Sequence, residues 1–138
     1  GADRVDSDAK ARILVVDDDP SLQKLVRSLL IRADMEPLSA LNASDAAQAL
    51  RQRPLPDILV LDLMLPDISG ITFLRQLRSK ELFDGMPVII LSAMADPDTI
   101  REGLEIGADR YLTKPYLANN LIKTINEVMR MGRNTEEE

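Results

Sequence analysis

The strongest constraint in this sequence is a set of three short, uninterrupted apolar runs. They cover residues 13–16, 58–61 and 88–91 and consist only of Ile, Leu and Val. Short runs of β-branched and Leu residues, bounded by polar segments, are typical of strands buried on both faces of a parallel sheet. The sequence therefore predicts a sheet whose central strands are covered by helices on both sides.

Two weaker strands are predicted at the edges of this sheet. Residues 35–40 contain Pro37, which cannot donate a hydrogen bond to a sheet ladder. Residues 110–113 are half polar, which also favours an edge position.

Five helices are predicted between and after the strands. Asp is a good helix cap, Pro fits the first helical turn, and Gly often follows a helix end. The predicted helices are one starting at Asp19 and Pro20, one capped by Ser44 and running through Leu50, one over residues 71–82, one from Asp96 and Pro97 to a cap at Gly107, and one marked by Leu121, Ile125 and Val128.

The alternation of strands and helices predicts a doubly wound α/β fold with the parallel strand order 2-1-3-4-5. Sequential strands tend to be neighbours, and their crossovers are right-handed. In such sheets ligands bind where the connections reverse direction, at the carboxyl ends of the strands. Here those ends carry Asp17, Asp18 and Asp62.

The chemistry available at this point is limited by composition. The chain has no Cys and no His, which excludes thiolate and imidazole metal ligands, a Cys nucleophile and a His general base. Crowded carboxylates at Asp17, Asp18 and Asp62 call for a cation, and hard oxygen ligands favour Mg²⁺. With Ser92 and Lys114 on the next strand ends, the set is suited to handling a phosphoryl group.

Charge and hydropathy indicate what the chain does not do. The net charge is −6 and only 3% of residues are aromatic, which argues against direct nucleic-acid binding. No apolar run is long enough to span a membrane and no signal-peptide pattern is present, so a cytoplasmic protein is expected. We expect a disordered lead-in or cloning remnant over residues 1–11, a folded domain over 12–131, and an acidic tail or truncated linker over 132–138.

Four segments together resemble the receiver domain of two-component response regulators, and chemotaxis regulators in particular. They are ILVVDDDP at residues 13–20, DILVLDLMLPDISG at 57–70, PVIILSA at 87–93 and GADRYLTKP at 107–115. The resemblance covers about residues 12–131. It implies a flavodoxin-like (βα)5 three-layer sandwich.

The resemblance also implies a role for each acidic residue. Asp62 would be the phosphoacceptor, which takes a phosphoryl group from a phosphohistidine. Asp18 and Asp62 would bind Mg²⁺ directly, together with the backbone carbonyl of Met64, and Asp17 would act largely through a water molecule. Capping of the first helix is the alternative reading for Asp17 and Asp18.

The remaining site residues would respond to phosphorylation. Lys114 would pair with Asp62 and later with the phosphoryl group, aimed by a cis peptide bond to Pro115. Ser92 would hydrogen-bond the phosphoryl group. Tyr111 would change rotamer and alter the face formed by the fourth helix, fifth strand and fifth helix; plain packing is the alternative for Tyr111.

The resemblance implies partners and leaves two other functions open. The partners would be a histidine kinase or histidine phosphotransfer protein, and a downstream output domain or target protein. A second copy of the chain, bound through that same face, is a further implied partner. The chain would not be an enzyme beyond catalysing its own phosphorylation and dephosphorylation. The alternatives are a phosphorylation-independent interaction module and a Mg²⁺-dependent phosphatase. The phosphatase would need an Asp two residues after Asp62, where Met64 stands.

Overall fold

Strands and helices alternate along the whole of the described chain. The computed structural model describes residues 9–115 and 118–133 of the 138-residue sequence. The elements in chain order are β1 (Arg12–Val16), α1 (Pro20–Arg32), β2 (Glu36–Ala40), α2 (Ala43–Ala49), β3 (Ile58–Leu61), α3 (Gly70–Arg78), a 3-10 turn (Glu81–Phe83), β4 (Val88–Ser92), α4 (Pro97–Ile106), β5 (Arg110–Thr113) and α5 (Ala118–Met131).

The five strands form one parallel sheet in the order β2-β1-β3-β4-β5. This order and the α/β class confirm the prediction, including the edge positions of β2 and β5. In the central strands Val16 pairs with Leu61, and Leu61 pairs with Ile90. The carboxyl ends of β1, β3 and β4 therefore lie side by side.

Side chains from the two faces of the sheet enter two separate cores. Leu14 and Val16 belong to a core that includes α2 and α3, whereas Ile13 and Val15 belong to one that includes α1 and α5. These four side chains are at most 2% exposed. Burial of each such side chain stabilises the fold by about 1.5–3 kcal/mol, which explains the absence of polar residues from the run.

Two helix starts agree with the prediction. The Asp19 carboxylate accepts hydrogen bonds from the backbone nitrogens of Ser21 and Leu22, and Asp96 caps α4 in the same way. The predicted cap at Gly107 is also present, and its φ of 138° is a conformation that favours glycine.

The start of α2 differs from the prediction. Asn42, and not Ser44, caps this helix, and its side chain accepts a 2.7 Å hydrogen bond from the Asp45 nitrogen. Asn and Ser are comparable caps, so local sequence does not choose between them. The choice is made by Asp67 from a distant loop, because its carboxylate binds the Ser44 nitrogen at 2.9 Å and holds Ser44 inside the first turn.

The third predicted helix is divided. The sequence predicts one helix over residues 71–82, but α3 ends at Arg78 and the 3-10 turn follows. Lys80 adopts an extended conformation between them, which lets Phe83 turn inward until it is only 6% exposed. The spacing of apolar residues in this segment fits one long helix as well as a helix followed by a 3-10 turn. The packing of Phe83 into the core favours the second arrangement.

Most of the two predicted terminal segments lies outside the described residues. Residues 1–8 of the expected lead-in and 134–138 of the expected tail lie there. The limits 12–131 stay a prediction. Within the described ranges, no helix has the length and apolar character required to cross a bilayer.

Candidate functional site

Acidic side chains meet at the carboxyl edge of the sheet. Asp17 follows β1 and Asp62 follows β3, and both are buried, whereas Asp18 is exposed. One carboxylate oxygen from each of the three residues lies within 4.8 Å of the others. The parallel sheet creates this cluster, because it brings strand ends that are 45 residues apart in the sequence to one edge.

Lys114 connects the two buried carboxylates. Its Nζ lies 2.8 Å from Asp17 Oδ2 and 3.1 Å from Asp62 Oδ2. Its position depends on β5, which ends one residue earlier, and on a backbone hydrogen bond from the Lys114 nitrogen to the Ser92 carbonyl. The peptide bond between Lys114 and Pro115 is cis.

In the acidic cluster the negative charge of three carboxylates exceeds the positive charge of Lys114. Burial raises the pKa of Asp17, the Asp62 charge adds to the increase, and hydrogen bonds from Lys114 and the Asp19 nitrogen oppose it. Burial alone would lower the pKa of Lys114, but its hydrogen bonds to the two carboxylates outweigh that effect and raise the pKa. The ammonium group of Lys114 therefore lies beside three crowded carboxylates. A further cation would stabilise this cluster.

Backbone groups also fix the buried carboxylates. Asp17 Oδ1 accepts a 2.9 Å hydrogen bond from the Asp19 nitrogen, and Asp62 Oδ1 accepts a 3.1 Å bond from the Met64 nitrogen. Each carboxylate therefore keeps one oxygen on the backbone and the other on Lys114. This arrangement fits a site for a hard cation such as Mg²⁺, which prefers oxygen ligands.

Ser92 and Tyr111 meet the loop between β4 and α4. Ser92 is fully buried and its Oγ accepts a 3.3 Å hydrogen bond from the Met94 nitrogen. The Tyr111 hydroxyl donates a 2.5 Å bond to the Met94 carbonyl. Burial raises the pKa of the Tyr111 hydroxyl, and a hydrogen bond with Ser92 opposes the increase. Both predicted switch residues therefore contact one short loop beside the acidic cluster.

Gly70 packs directly against the backbone of Asp62 and Leu63. A Cβ atom at Gly70 would lie 2.4 Å from the Asp62 carbonyl oxygen and 2.5 Å from the Leu63 Cα. No side chain fits this space, so the start of α3 can approach the end of β3 only with glycine at this position.

Gln23 is a supporting residue that the sequence interpretation missed. Its buried amide donates to the carbonyls of Val15, Asp17 and Ala40 at 3.0–3.1 Å. It thereby joins α1 to the ends of β1 and β2. The available signal was its spacing, since Gln23 precedes the buried Val26 by one helical turn.

Asp67 is the second supporting residue that was missed. Its carboxylate accepts hydrogen bonds from the nitrogens of Ala43 and Ser44 at 3.0 and 2.9 Å. Asp67 thus attaches the loop after β3, which includes Met64, to the start of α2. The sequence offered no signal for this contact because its partners lie 24 and 23 residues away.

Comparison with known proteins defines the class to which this fold and site belong. A family model described as the response regulator receiver domain matches residues 13–126, which is most of the chain. The chain belongs to the response regulator receiver domain family. The resemblance predicted from the four sequence segments is confirmed.

The curated relatives include a transcriptional regulatory protein and a DNA-binding response regulator. The chain is 38% identical over 118 residues to the phosphate regulon transcriptional regulatory protein PhoB of Pseudomonas aeruginosa, covering 86% of this chain and 51% of the relative. It is 38% identical over 128 residues to the DNA-binding response regulator MtrA of Mycolicibacterium smegmatis, covering 93% and 54%. The chain therefore spans about half the length of the curated relatives it matches.

Solved structures agree in fold over nearly their whole length. The Francisella response regulator 1452 receiver domain has a TM-score of 0.81 and 31% identity, covering 88% of this chain and 98% of that one. The Vibrio cholerae chemotaxis protein CheY4 has a TM-score of 0.79 and 30% identity, covering 87% and 99%.

Proposed function

We propose that this chain is the phosphoacceptor of a two-component phosphorelay and that Asp62 receives the phosphoryl group. The observation that carries the proposal is the contact of Lys114 Nζ with both Asp17 and Asp62, inside a cluster of three carboxylates. A nucleophilic carboxylate, a cation beside it and a metal-binding acidic group are the parts that phosphoryl transfer requires.

The transfer uses the chain's own groups as follows. One Asp62 oxygen forms a bond to phosphorus while the phosphorus–nitrogen bond of the donor phosphohistidine breaks and the imidazole leaves. Lys114 first holds the Asp62 carboxylate and then an oxygen of the bound phosphoryl group. Ser92 donates its hydroxyl hydrogen to another phosphoryl oxygen.

Mg²⁺ is the proposed cofactor. Asp18, Asp62 and the Met64 carbonyl would hold it directly, and Asp17 would do so largely through water. When bound, the ion supplies positive charge that offsets the negative charge of the carboxylates and the phosphoryl oxygens. Asp18 is exposed and so is open to an ion from solution.

The proposed output is a change of surface. Ser92 would move toward the phosphoryl group, and the Met94 backbone connects Ser92 to Tyr111. A shift of this loop would change the Tyr111 rotamer and the face formed by α4, β5 and α5. A small local change can bias such an element between two states.

The proposed partners follow from this role. The donor is a histidine kinase or histidine phosphotransfer protein, and the changed face binds an output domain, a target protein or a second copy of the chain. The names of PhoB and MtrA support a place in a transcriptional regulator, in which DNA binding would belong to a separate output domain. We place the chain in the cytoplasm, bound neither to nucleic acid nor to membrane, and as a signalling domain rather than an enzyme.

Intact-protein mass spectrometry tests the proposal. The chain is mixed with Mg²⁺ and acetyl phosphate, and we expect a species heavier by about 80 Da that is absent from the Asp62→Asn variant. Chelation of Mg²⁺ should abolish the reaction. An unmodified mass under these conditions would support the interaction module, whereas steady release of phosphate from unrelated phosphate esters would support the phosphatase.

Met64 and Met94 are proposed to lengthen the life of the phosphoryl group. Their side chains are 58% and 37% exposed, and they follow Asp62 and Ser92 by two residues. Apolar groups there would hinder an attacking water molecule. Met64→Asn and Met94→Glu should therefore lose phosphate faster than the wild type, and equal or slower rates would contradict this role.

A further inference from the structure

A second pocket lies between α2 and α3, away from the acidic cluster. Its volume is about 500 Å³, within the range of pockets that bind small molecules. Its floor is formed by Leu50, Phe73, Leu77 and Phe83, each at most 6% exposed. The floor is therefore a firmly packed part of the core and not a mobile surface.

The rim of this pocket carries positive charge. Arg51, Arg53 and Lys80 line it, and no Asp or Glu does. Among residues 9–115 and 118–133, none of the three has a carboxylate within 4.0 Å. By contrast, Arg75 and Arg101 on the nearby helices α3 and α4 do form ion pairs.

Local contacts hold part of this rim in place. The Arg53 guanidinium donates to the carbonyls of Leu50 and Gln52 at 3.4 and 3.1 Å. These two bonds favour one orientation of the exposed Arg53 side chain. Three cations that line one pocket, with no carboxylate among the lining residues, attract an anion.

The pocket is distinct from the phosphorylation site. It is lined by the carboxyl-terminal ends of α2 and α3, which lie at the amino edge of the parallel strands. The acidic cluster lies at the carboxyl edge, and the two sites share no residue.

We propose that the pocket between α2 and α3 binds a small amphiphilic anion, with an apolar body on the aromatic floor and an anionic head group among Arg51, Arg53 and Lys80. The apolar floor selects the body, and the cationic rim selects the charge. A neutral compound of the same shape would gain only the apolar contacts.

Calorimetric titration of the full 138-residue chain with octanoate tests this inference. We expect saturable binding that is at least about fivefold tighter than that of 1-octanol and that weakens as ionic strength rises from about 0.05 to about 0.3 M. Octylamine, which has the same chain and a positive head, should not bind. Equal affinity for octanoate and 1-octanol would overturn the proposal.

Matched variants assign binding to this pocket. Ala47→Met fills the lining without changing charge, and the exposed pair Arg51→Glu with Lys80→Glu reverses the rim; each should weaken octanoate binding at least about fivefold. Lys123→Glu, an exposed charge reversal on α5, should bind as the wild type does. Phosphorylation by acetyl phosphate should be retained in every variant, which shows that each is folded. Undiminished octanoate binding in both pocket variants would refute the assignment.

Discussion

At the scale of single residues, the acidic crevice depends on side chains that do not belong to it. Gln23 holds three carbonyls at the ends of β1 and β2, including that of Asp17. A buried amide that satisfies several carbonyls is costly to remove, because the carbonyls lose their partners away from water. The position of Asp17 is therefore a property of α1 as well as of its own strand.

Gln23→Leu should lower the free energy of unfolding by about 1–3 kcal/mol, as expected for loss of buried hydrogen bonds without loss of volume. It should also weaken Mg²⁺ binding, because the Asp17 carbonyl and the adjoining carboxylate lose a fixed position. Urea denaturation and a Mg²⁺ titration measure the two effects. Gln48→Leu, at an exposed position of α2, serves as the control and should change stability by less than about 0.5 kcal/mol.

At the scale of elements, the loop between β3 and α3 is the part of the site that depends most on contacts with residues distant in the sequence. Gly70 lets α3 begin against the backbone of Asp62, and Asp67 attaches the same loop to the start of α2. The loop that follows Asp62, the proposed phosphoacceptor, thus contacts two helices. Changes in either helix should be felt at Asp62.

Gly70→Ala should destabilise the fold and impair phosphorylation together. Its Cβ would lie 2.4 Å from the Asp62 carbonyl oxygen, a backbone atom that cannot move aside without displacing Asp62, the proposed phosphoacceptor. Overpacking of this kind costs about 1–3 kcal/mol or more. Gly85→Ala is the control, because nothing lies within 4 Å of its new Cβ. Denaturation and the acetyl phosphate assay should separate the two variants, and similar behaviour would count against the close-contact argument.

Asp67 should give stability that depends on pH. Hydrogen bonds from the backbone, that of Ala43 first, lower the pKa of Asp67 below its ordinary 3.8. A folded-state pKa below the unfolded value means that the contribution is present above about pH 3.8 and is lost as the pH falls through the folded-state pKa. Asp67→Asn should therefore have a lower urea midpoint than wild type at pH 7 and a smaller difference at pH 3. A difference that is constant with pH would show that the charge does not matter.

At the scale of the whole molecule, a buried ion-pair network lies at the amino edge of the sheet, opposite the acidic cluster. The Asp109 side chain is fully buried between Arg78, at 3.4 Å, and Arg133, at 3.1 Å. Burial lowers the pKa of Arg78 to about 10, and the nearby charge of Arg133 acts in the same direction. The network joins the end of α3, the start of β5 and the segment after α5.

Asp109→Asn should be strongly destabilising, because it leaves two cations facing each other without their counterion. Breaking a buried pair costs about 3–5 kcal/mol. Asp98→Asn removes a pair with Arg101 whose Asp side chain is 84% exposed, and it should cost about 0–1 kcal/mol. Urea denaturation of both variants checks the contrast. Phosphorylation of folded Asp109→Asn should persist, since this network lies away from Asp62.

The sequence alone determined the class of fold, the strand order and the identity of the residues at the strand ends. Apolar runs that must avoid water predict buried strands, and connection rules then order them. For the same reason the sequence alone predicts that Asp17, Asp18, Asp62 and Lys114 lie at one edge of the sheet. Their individual roles came from family resemblance and not from spacing.

Tertiary structure decided the contacts between residues that are distant in the chain. Asn42 replaced Ser44 as the cap of α2 because Asp67 binds the first turn, and the predicted helix over residues 71–82 was divided because Phe83 packs into the core. Local propensities differ by less than such contacts contribute, so they cannot decide the outcome. Spacing from Val26 indicates that Gln23 lies on the buried face of α1, but only the tertiary structure decides which carbonyls it binds. The cationic rim of the pocket between α2 and α3 likewise depends on residues that folding brings together in space.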